Sequence, residues 1–364
     1  MEINHYITDL KKVTYAKEET RPFTGLDCSL GINPYGISPF VANAFSEMLL
    51  HPQEISDYPH GRALTEAISR YWANYAAVDP DQISLCNGSI DGIYQINRLF
   101  YGQDVTVLGM QPQFSDYVMD AAAAGFAYRA VPLSQGSAYR FPTERFLSAI
   151  CPDISLIYLD NPNNPTGQLI ARSDVAKILE KAAQYGIYVI LDEAYGDYVS
   201  PKESAVSFLS RYDRLIVLRS FSKGFGMAGI RAGYILAGKH VHDCLERVIN
   251  PYIIGQPFRR LAISALEGTA FLEECCQKIS LSKKEVRNSL HPPLHMAANC
   301  ESCPICLLWH EDQELDLAQA FMDENIKVCS GAGFTGLDKS SARLRIPAER
   351  DMPQLLHAIS VIAK

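Results

Sequence analysis

The sequence predicts an α/β fold, with a large domain on a mainly parallel sheet followed by a smaller α+β domain. The chain has 364 residues, 48% hydrophobic and 20% charged, which is more than one compact core usually absorbs. Between Gly61 and Ala237, short β-rich runs alternate with helical patterning, as in a parallel sheet covered on both faces. After Asn250 and Pro251 longer helical stretches follow.

The spacing of apolar residues places the individual elements along the chain. Strands are predicted at 83–86, 105–108, 154–159, 187–191 and 215–218, and the run PICLLWH is predicted as a later strand. Helices are predicted at 64–75, 121–124, 175–185, 258–266, 282–290 and 352–362. The predicted domains are a large one at 51–252 and a small one at 253–364, with segment 1–50 joining the small domain.

Composition and charge exclude several classes of function. The formal net charge is −8, the isoelectric point is about 5.6, and basic residues are scattered, so we expect no nucleic-acid partner. The first residues are polar, and no apolar run approaches the roughly 18 residues of a membrane span. We therefore expect a cytoplasmic protein without a membrane partner. Residues 1–24 either cover the mouth of the site or lie on the surface.

The ten cysteines are too few in a chain of this length for a disulfide scaffold. Cys86 and Cys151 lie in apolar runs, where a thiol acts as a small hydrophobic group. Cys300, Cys303 and Cys306 have the spacing of metal ligands, but no fourth ligand is adjacent. His310 is a possible fourth ligand, although it lies in PICLLWH, which is predicted as a strand. The interpretation as structural cysteines is favoured, and no metal site is expected.

The segment LRSFSKGFGMAGIRAG carries the strongest chemical signal. Lys223 follows a predicted strand, and a lysine held in a dry site has a lowered pKa, so its neutral amine can form an imine with an aldehyde. Ser220 and Ser222 offer hydroxyl groups, and Arg231 offers a planar fork suited to phosphate. A lone SxxK motif is usually a surface loop, so the interpretation depends on the accompanying motifs.

Two further strand ends carry polar groups. Asp192, in ILDEAY, ends a predicted buried strand, where a carboxylate needs a cationic partner such as a protonated pyridine nitrogen. Alternatively, Asp192 is a helix N-cap. Tyr195 lies three residues further on, and its hydroxyl can donate to an oxygen on the same pyridine ring. Asn164, in the turn DNPNNPTG after the preceding strand, has an amide that can reach the same oxygen.

A phosphate site is predicted between a strand and a helix in NGSIDGI. The backbone amides of Gly88, Ser89 and Ile90 would lie at the helix N-terminus, where anions bind, although Asn-Gly is more often a plain turn. Phe114, after the next strand, has a ring that can stack on a pyridine face; the alternative is an ordinary core aromatic.

Together these motifs resemble the fold-type I enzymes that use pyridoxal 5′-phosphate (PLP), specifically the histidinol-phosphate aminotransferase branch of the class I/II aminotransferases. The resemblance runs from GINPYG at 31–36 to ARLRIPAER at 342–350. It implies a mainly parallel seven-stranded sheet, Lys223 as the lysine that binds PLP as a Schiff base, and Asp192 as the partner of its ring nitrogen. It also implies ring-hydroxyl contacts from Tyr195 and Asn164. The phosphate ligands implied are Gly88, Ser89, Ile90, Ser220, Ser222 and Arg231.

The resemblance also implies a homodimer with shared sites, because Tyr58 matches a tyrosine that reaches the phosphate of the neighbouring subunit. Phe114 stands where the family often has tyrosine, which keeps ring stacking but loses a hydroxyl. The substrate residues implied are Arg345, which matches the arginine for the anionic group, with Tyr35, Gly31 and Ile32. Arg343 lies two residues before Arg345, so both side chains are predicted on one strand face, as suits a substrate with two anionic groups; alternatively Arg343 lies at the rim or pairs with a surface acid.

The expected reaction is transamination between an amino donor and a 2-oxo acid. Two departures, GINPYG for NENPYG and NGSID for NGSDE, keep a second hypothesis open: a lyase such as the related L-threonine-O-3-phosphate decarboxylases, or a cyclase. A third hypothesis is a binding module without catalysis, which the full set of cofactor residues disfavours. The identity of the donor and acceptor stays open.

Overall fold

The strands of this chain form three sheets, in a computed structural model that describes residues 4–11 and 23–364. The strands are β1 Leu26–Asp27, β2 Ile83–Cys86, β3 Thr106–Gln111, β4 Ala127–Pro132, β5 Leu156–Asp160, β6 Tyr188–Asp192, β7 Leu215–Ser220, β8 Gly233–Ala237, β9 Leu294–Met296, β10 Ile305–His310, β11 Ile326–Lys327, β12 Cys329–Ser330 and β13 Ser341–Arg345.

The α-helices lie between and after the strands. They are α1 His5–Thr8, α2 Pro39–Met48, α3 Ala63–Trp72, α4 Gly88–Arg98, α5 Ser115–Ala123, α6 Thr143–Ala149, α7 Arg172–Gln184, α8 Lys239–Leu245, α9 Gln256–Glu267, α10 Ala270–Ser289, α11 Leu317–Asp323 and α12 Met352–Ile362. Among the described residues, none of these helices is both long enough and apolar enough to cross a lipid bilayer.

Most predicted elements are confirmed, with shifts of a few residues at their ends. The strand at 83–86 and the helix at 352–362 have the predicted bounds. The helix predicted at 282–290 is only the last part of α10, which begins at Ala270. Before Ser282 its buried positions are only Leu272, Cys275 and Ile279, so the apolar pattern of the first half is sparse and escapes a simple count.

The large sheet has seven strands in the order β2-β8-β7-β6-β5-β3-β4. The pairs among β3, β4, β5, β6 and β7 are parallel, while β8 runs antiparallel to both β7 and β2, which confirms the mainly parallel sheet. Because parallel strands end at the same edge, their carboxyl ends meet there. Asp160 of β5 stands in register beside Asp192 of β6 at this edge.

The amino-terminal part of the chain joins the carboxyl-terminal sheet region. Strand β1 pairs in parallel with β11, and the four-stranded sheet has the order β12-β13-β10-β9. After β1 the chain turns toward the large sheet, where the side-chain amide of Asn33 donates to the carbonyl of Gly224, 2.7 Å away. This contact draws the segment after β1 onto the loop that follows β7. The prediction that residues 1–24 either cover the mouth of the site or lie on the surface concerns mainly residues 1–3 and 12–22, which lie outside the described residues.

A buried ion network supports the end of β7. Arg219, whose side chain is 2% exposed, donates to Glu193 at 3.0 Å and to Asp197. Glu193 also accepts from the hydroxyl of Ser204 at 2.6 Å and the backbone amide of Ala205 at 2.7 Å. The network therefore fixes the turn after β6 against the end of β7.

Replacing Arg219 tests this network. Arg219→Met should destabilise the protein by about 3–5 kcal/mol, because it leaves two carboxylates buried without their cation. Urea unfolding followed by circular dichroism measures the change. Lys239→Ala is the control, since it breaks the exposed pair with Asp243 and should leave the unfolding midpoint unchanged. Equal midpoints for the Arg219 variant and the native protein would contradict a stabilising network.

Candidate active site

A cavity of about 230 Å³ opens at the carboxyl edge of β5, β6 and β7. Such an edge is where open α/β sheets bind ligands. The predicted site residues on its wall are Ser89, Ile90, Phe114, Asn164, Asp192, Tyr195, Ser222, Lys223 and Arg231. Asp160 and Pro162, which the sequence did not single out, also line it. Residues far apart in the chain therefore meet in one cavity.

Lys223 lies at the wall of the cavity with its backbone held in place. The hydroxyl of Tyr198 donates to the carbonyl of Lys223 at 3.0 Å, and the Lys223 Nζ atom is 5.5 Å from the ring centre of Tyr195. Burial lowers the pKa of Lys223 to about 8, and the positive charges of Arg343 and Arg231 act in the same direction. Near neutral pH a much larger fraction of this lysine than of an exposed lysine is thus the neutral, nucleophilic amine.

Asp192 is buried and held by two donors. The hydroxyl of Tyr158 donates to its Oδ2 at 2.8 Å, and the backbone amide of Ala194 to its Oδ1 at 2.9 Å. Burial raises the pKa of Asp192 to about 6, although both hydrogen bonds and Lys223 counteract the rise. A carboxylate in this position is stabilised by a cation, so the site suits a protonated ring nitrogen. The predicted alternative, a helix N-cap, is wrong, because the next helical turn, Gly196–Tyr198, has Tyr195 at its N-cap position.

Tyr158 is a residue of this site that the sequence analysis missed. It is fully buried in β5, and its ring stacks on Tyr117 with centroids 3.5 Å apart and an angle of 9° between planes. This stack fixes the direction of the hydroxyl toward Asp192. In the sequence, Tyr158 is an aromatic in an apolar run, a pattern typical of the core, so no local signal separates it from other core residues.

The loop before α4 forms an anion cradle with Arg231. Gly88 has φ of +77°, and a Cβ atom there would lie 2.7 Å from a guanidinium nitrogen of Arg231, so a side chain would fill the cradle. Among the described residues, no side chain caps the first turn of α4, which leaves its amides available for an anion. Arg231 donates to the hydroxyl of Ser222 at 3.3 Å, while the Ser220 hydroxyl lies behind it and accepts from the Ser222 amide at 3.1 Å.

These residues fit PLP by the chemistry of their donors. The cradle at Gly88 and Arg231 can take a phosphate, Asp192 can take a protonated ring nitrogen, and Lys223 can take an aldehyde. Phe114 and Asn164 line the space between them.

The two predicted substrate arginines do not converge on this cavity. Arg343 is buried and donates to the Asn164 Oδ1 atom at 2.8 Å, which brings it to the cavity side of β13. Arg345 donates to the carbonyls of Asp27 and Ile346 and lines a separate polar cavity of about 460 Å³. The alternative of a rim or surface position for Arg343 is wrong as well. Because a strand twists, two side chains on the same face of it point in different directions. Two residues on one strand face can therefore contact different sites.

The other predicted substrate residues also divide between places. Gly31 lies directly against the Tyr195 hydroxyl, where a Cβ atom would collide with it. Ile32 lines the polar cavity beside Arg345. Tyr35 lies outside the walls of both cavities, with the Lys278 Nζ atom 5.2 Å from its ring centre. Of these three, Gly31 lies against Tyr195 and Tyr35 packs against the hydrophobic cluster that contains Tyr195, whereas Ile32 lies at the second cavity.

Tyr58 and the cysteine triplet lie away from the cavity. Tyr58 is exposed and stacks on Tyr252 with ring centres 4.5 Å apart. Cys303 and Cys306 are buried in different hydrophobic clusters, and the buried Lys283 donates to the carbonyls of Cys300 and Cys303. Within residues 4–11 and 23–364, no three His, Cys, Asp or Glu side chains are grouped so as to hold a metal ion.

The fold and cavity belong to a known family. The family model described as aminotransferase class I and II matches residues 25–362, so the chain is a member of that family. A histidinol-phosphate aminotransferase of Geobacillus sp. (strain WCH70) is 32% identical over 250 residues, which are 68% of this chain and 66% of that protein. The chain thus matches just under two thirds of this relative's length.

Solved structures agree with this membership. The histidinol-phosphate aminotransferase from Clostridium acetobutylicum aligns with a TM-score of 0.82 and 26% identity, over 93% of this chain and 99% of that one. A histidinol-phosphate aminotransferase from Sinorhizobium meliloti, solved in complex with pyridoxal 5′-phosphate, aligns with a TM-score of 0.78. It is 21% identical, and the alignment covers 93% of this chain and 90% of that one, so it supports the fold.

Tyr158→Phe tests the support of Asp192. Loss of the Tyr158 donor should raise the pKa of Asp192 further, since this hydrogen bond favours the ionised form. More of the carboxyl is then protonated at a given pH, so PLP should bind about tenfold more weakly near pH 6, with a smaller loss near pH 8. Fluorescence titration of apoprotein with PLP at several pH values measures this.

Tyr128→Phe is the matched control for this experiment. Tyr128 is also a tyrosine with a bonded hydroxyl beside the same strands, but it donates to Gln113 at 2.9 Å rather than to Asp192. The control should keep native affinity at every pH. A loss in Tyr158→Phe that did not vary with pH would contradict an effect on the ionisation of Asp192.

Proposed function

We propose that this protein is a PLP-dependent aminotransferase that acts on an amino acid or a phosphorylated amine, with a 2-oxo acid as the second substrate. The observation that carries the proposal is the position of Lys223. Its amine, with a pKa lowered to about 8, faces a cavity that also holds the buried carboxyl of Asp192 and the anion cradle at Gly88 and Arg231.

The cofactor residues follow from this arrangement. Lys223 would hold the PLP aldehyde, Asp192 the ring nitrogen, and Tyr195 and Asn164 the ring hydroxyl. The phosphate would be held by Gly88, Ser89, Ile90, Ser220, Ser222 and Arg231, with Phe114 against the ring face. Bound PLP supplies an electron sink for the bonds at the substrate Cα.

The chain's own groups would perform the proton transfer and the binding of substrate. Once displaced by the substrate amine, the Lys223 amine would take the proton from the substrate Cα and give it to the cofactor carbon to which Lys223 had been bound. We assign the substrate carboxylate to Arg343, because its guanidinium donates to Asn164 of the cavity wall, whereas Arg345 donates to the carbonyls of Asp27 and Ile346. This placement revises the expectation from the sequence, in which Arg345 had this role.

The substrate class is proposed from the relatives and from the positions of the two arginines. The relatives named above are histidinol-phosphate aminotransferases, which supports a phosphorylated amine. The argument from two converging guanidinium groups no longer supports a doubly anionic substrate, since Arg345 bonds elsewhere. A decarboxylase or other lyase uses the same cofactor residues and differs in which bond at Cα is aligned for cleavage.

We propose a homodimer as well, and a cytoplasmic location. Large apolar side chains are exposed together on α2, on the turn that follows it and near α9, and a second copy of the chain would bury them. These side chains are Phe45, Leu49, Leu50, Ile55, Tyr58, Tyr252 and Phe258. The ten free thiols agree with a reducing compartment.

Absorbance tests the reaction. Purified protein with PLP should have a band in the range of roughly 330 to 430 nm that shifts when an accepted amine is added. Histidinol phosphate and O-phosphothreonine are the first two amines. Conversion to the pyridoxamine form supports transamination, whereas carbon dioxide release with an unchanged band supports the lyase. Lys223→Ala should fold but lose turnover by at least about a thousandfold; full transamination by this variant would refute the assignment.

Complementation tests the shared site. Tyr58→Ala and Lys223→Ala subunits should each be weak alone, but co-expressed dimers should regain about one quarter of native activity. Half of the dimers are then mixed, and each mixed dimer has one intact site if Tyr58 serves the neighbouring subunit. No recovery, in preparations that sediment as dimers, would mean that Tyr58 serves its own subunit or neither.

A further inference from the structure

Tyr198 is a buried tyrosine that the cofactor roles leave unused. It is 1% exposed and ends the short helical turn Gly196–Tyr198 that follows Tyr195. Its hydroxyl donates to the backbone carbonyl of Lys223 at 3.0 Å. A phenylalanine would fill the same space in the core, so what the tyrosine adds is this hydrogen bond to the lysine peptide.

The direction of this hydrogen bond is fixed by the chemistry of both groups. Burial raises the pKa of Tyr198 well above its usual value, and nearby groups that can become anionic, first of all Tyr195, act in the same direction. The phenol therefore stays protonated at any pH that the protein would meet. Since a carbonyl oxygen can only accept, Tyr198 is the donor and Lys223 the acceptor.

Tyr198 is itself held in place by its surroundings. Its backbone amide donates to the carbonyl of Tyr195 at 3.1 Å, and its carbonyl accepts from the Cys276 thiol of α10 at 3.5 Å. Its ring packs in a hydrophobic cluster with Tyr195, Ile279 and Ile305. Because contacts from the turn after β6 and from α10 both fix the ring, its hydroxyl has a defined position.

Tyr198 joins the two loops that carry Tyr195 and Lys223. The rings of Tyr195 and Tyr198 have centres 6.4 Å apart and an angle of 29° between their planes. Within the loop after β7, the backbone amide of Gly226 donates to the same Lys223 carbonyl at 3.1 Å. The Lys223 carbonyl is therefore tied both to its own loop and, through Tyr198, to the turn after β6.

We propose that Tyr198 is a positioning residue, which holds the Lys223 peptide so that the Lys223 amine meets the PLP aldehyde at a high effective concentration. The inference rests on the proposed function, because the aldehyde is that of PLP. In the step concerned, the Lys223 Nζ atom forms a C=N bond with the aldehyde carbon, and the aldehyde oxygen leaves as water with the two hydrogens of the neutral amine. Tyr198 exchanges no proton in this step.

The expected effect is specific to the bond between lysine and aldehyde. A lysine on a fixed peptide reacts as an intramolecular group, and its advantage over an amine in solution is largely entropic. The Lys223 Nζ atom lies 5.5 Å from the ring centre of Tyr195, so the spacing of the two loops decides where the amine meets the cofactor. Loss of the Tyr198 hydroxyl should therefore weaken this bond and leave the binding of the phosphate and the ring unchanged.

Two forms of the cofactor test the proposal without any substrate. Pyridoxine 5′-phosphate has the ring and the phosphate of PLP but an alcohol in place of the aldehyde, so it forms no bond with Lys223. In fluorescence titrations of apoprotein, Tyr198→Phe should bind PLP about tenfold more weakly and bind pyridoxine 5′-phosphate as the native protein does. An equal loss for both ligands would mean that Tyr198 shapes the whole cavity, which would overturn the inference.

Competition with methylamine measures the advantage of Lys223 directly. Methylamine takes over the aldehyde carbon and releases the lysine amine, and borohydride then reduces whichever C=N bond is present. Mass spectrometry of the denatured protein gives the fraction that carries the cofactor on Lys223. Tyr198→Phe should need about tenfold less methylamine for half displacement. Equal midpoints for the variant and the native protein would count against the positioning role.

Further variants separate the hydrogen bond from the packing. The non-natural residue para-aminophenylalanine at position 198 keeps a donor and should retain the native midpoint; a midpoint equal to that of Tyr198→Phe would contradict the proposal. At the same position, para-fluorophenylalanine fills the space of the hydroxyl without donating. It should behave as Tyr198→Phe, and it keeps the proposal testable if that variant does not fold.

Tyr234→Phe is the matched control. Tyr234 is also a buried tyrosine with a bonded hydroxyl, which accepts from the indole nitrogen of Trp72 at 3.3 Å, but it lies outside the cavity wall. It should keep the native affinity for both ligands and the native methylamine midpoint. A loss in Tyr234→Phe equal to that in Tyr198→Phe would show that any buried hydroxyl has this effect, and the inference would be wrong.

The outcomes separate this inference from the proposed function. If the native apoprotein does not bind PLP, or if borohydride attaches no cofactor to Lys223, the proposed function fails. If the native protein carries the cofactor on Lys223 and Tyr198→Phe has unchanged affinities and an unchanged methylamine midpoint, the positioning role fails while the proposed function stands.

Discussion

The parallel alignment of β5, β6 and β7 is the constraint on which the site depends. Parallel strands must end at one edge, so residues that directly end or follow each strand are brought together whatever their separation in the chain. Asp160 and Asp192 are in register, and Lys223 follows the end of β7 at the same edge. Because these strands are fully buried, the polar groups at their ends enter a medium that penalises charge, which alters their pKa values.

The cost of buried charge also explains what surrounds the site. Arg219 forms ion pairs with both Glu193 and Asp197 behind the turn after β6, and it lies next to Ser220 in the chain. On the cavity side, within the described residues, Asp192 is stabilised by hydrogen-bond donors and not by an ion pair, since it accepts from the Tyr158 hydroxyl and from the backbone amide of Ala194. The carboxylates behind the site therefore have a cation within the chain, whereas the carboxyl of Asp192 and the guanidinium of Arg231 face a cavity that suits a group carrying both charges.

Sequence motifs predicted the cofactor side of this arrangement better than the substrate side. Lys223, Asp192 and Arg231 each lie in a local motif that follows a strand, and local order is enough to place them at one edge. Arg343 and Arg345 alternate on one strand, so sequence spacing cannot tell which of them meets Asn164. That choice depends on how β13 packs against β1 and the residues that follow it, a contact between parts of the chain more than 300 residues apart.

By itself, the sequence determined the class of fold, the family and the strand ends that carry Lys223, Asp192 and the Gly88 loop, because apolar periodicity and turn residues are local properties. Only the tertiary structure decided that Asp160 and Tyr158 belong to the site and that Arg343, not Arg345, contacts Asn164 of the cavity wall. The physical reason is that burial, register and hydrogen-bond partners arise from packing between distant segments. Asp160 lies in a turn motif and Tyr158 in an apolar run, and neither local sequence indicates which residues will contact them in the folded protein.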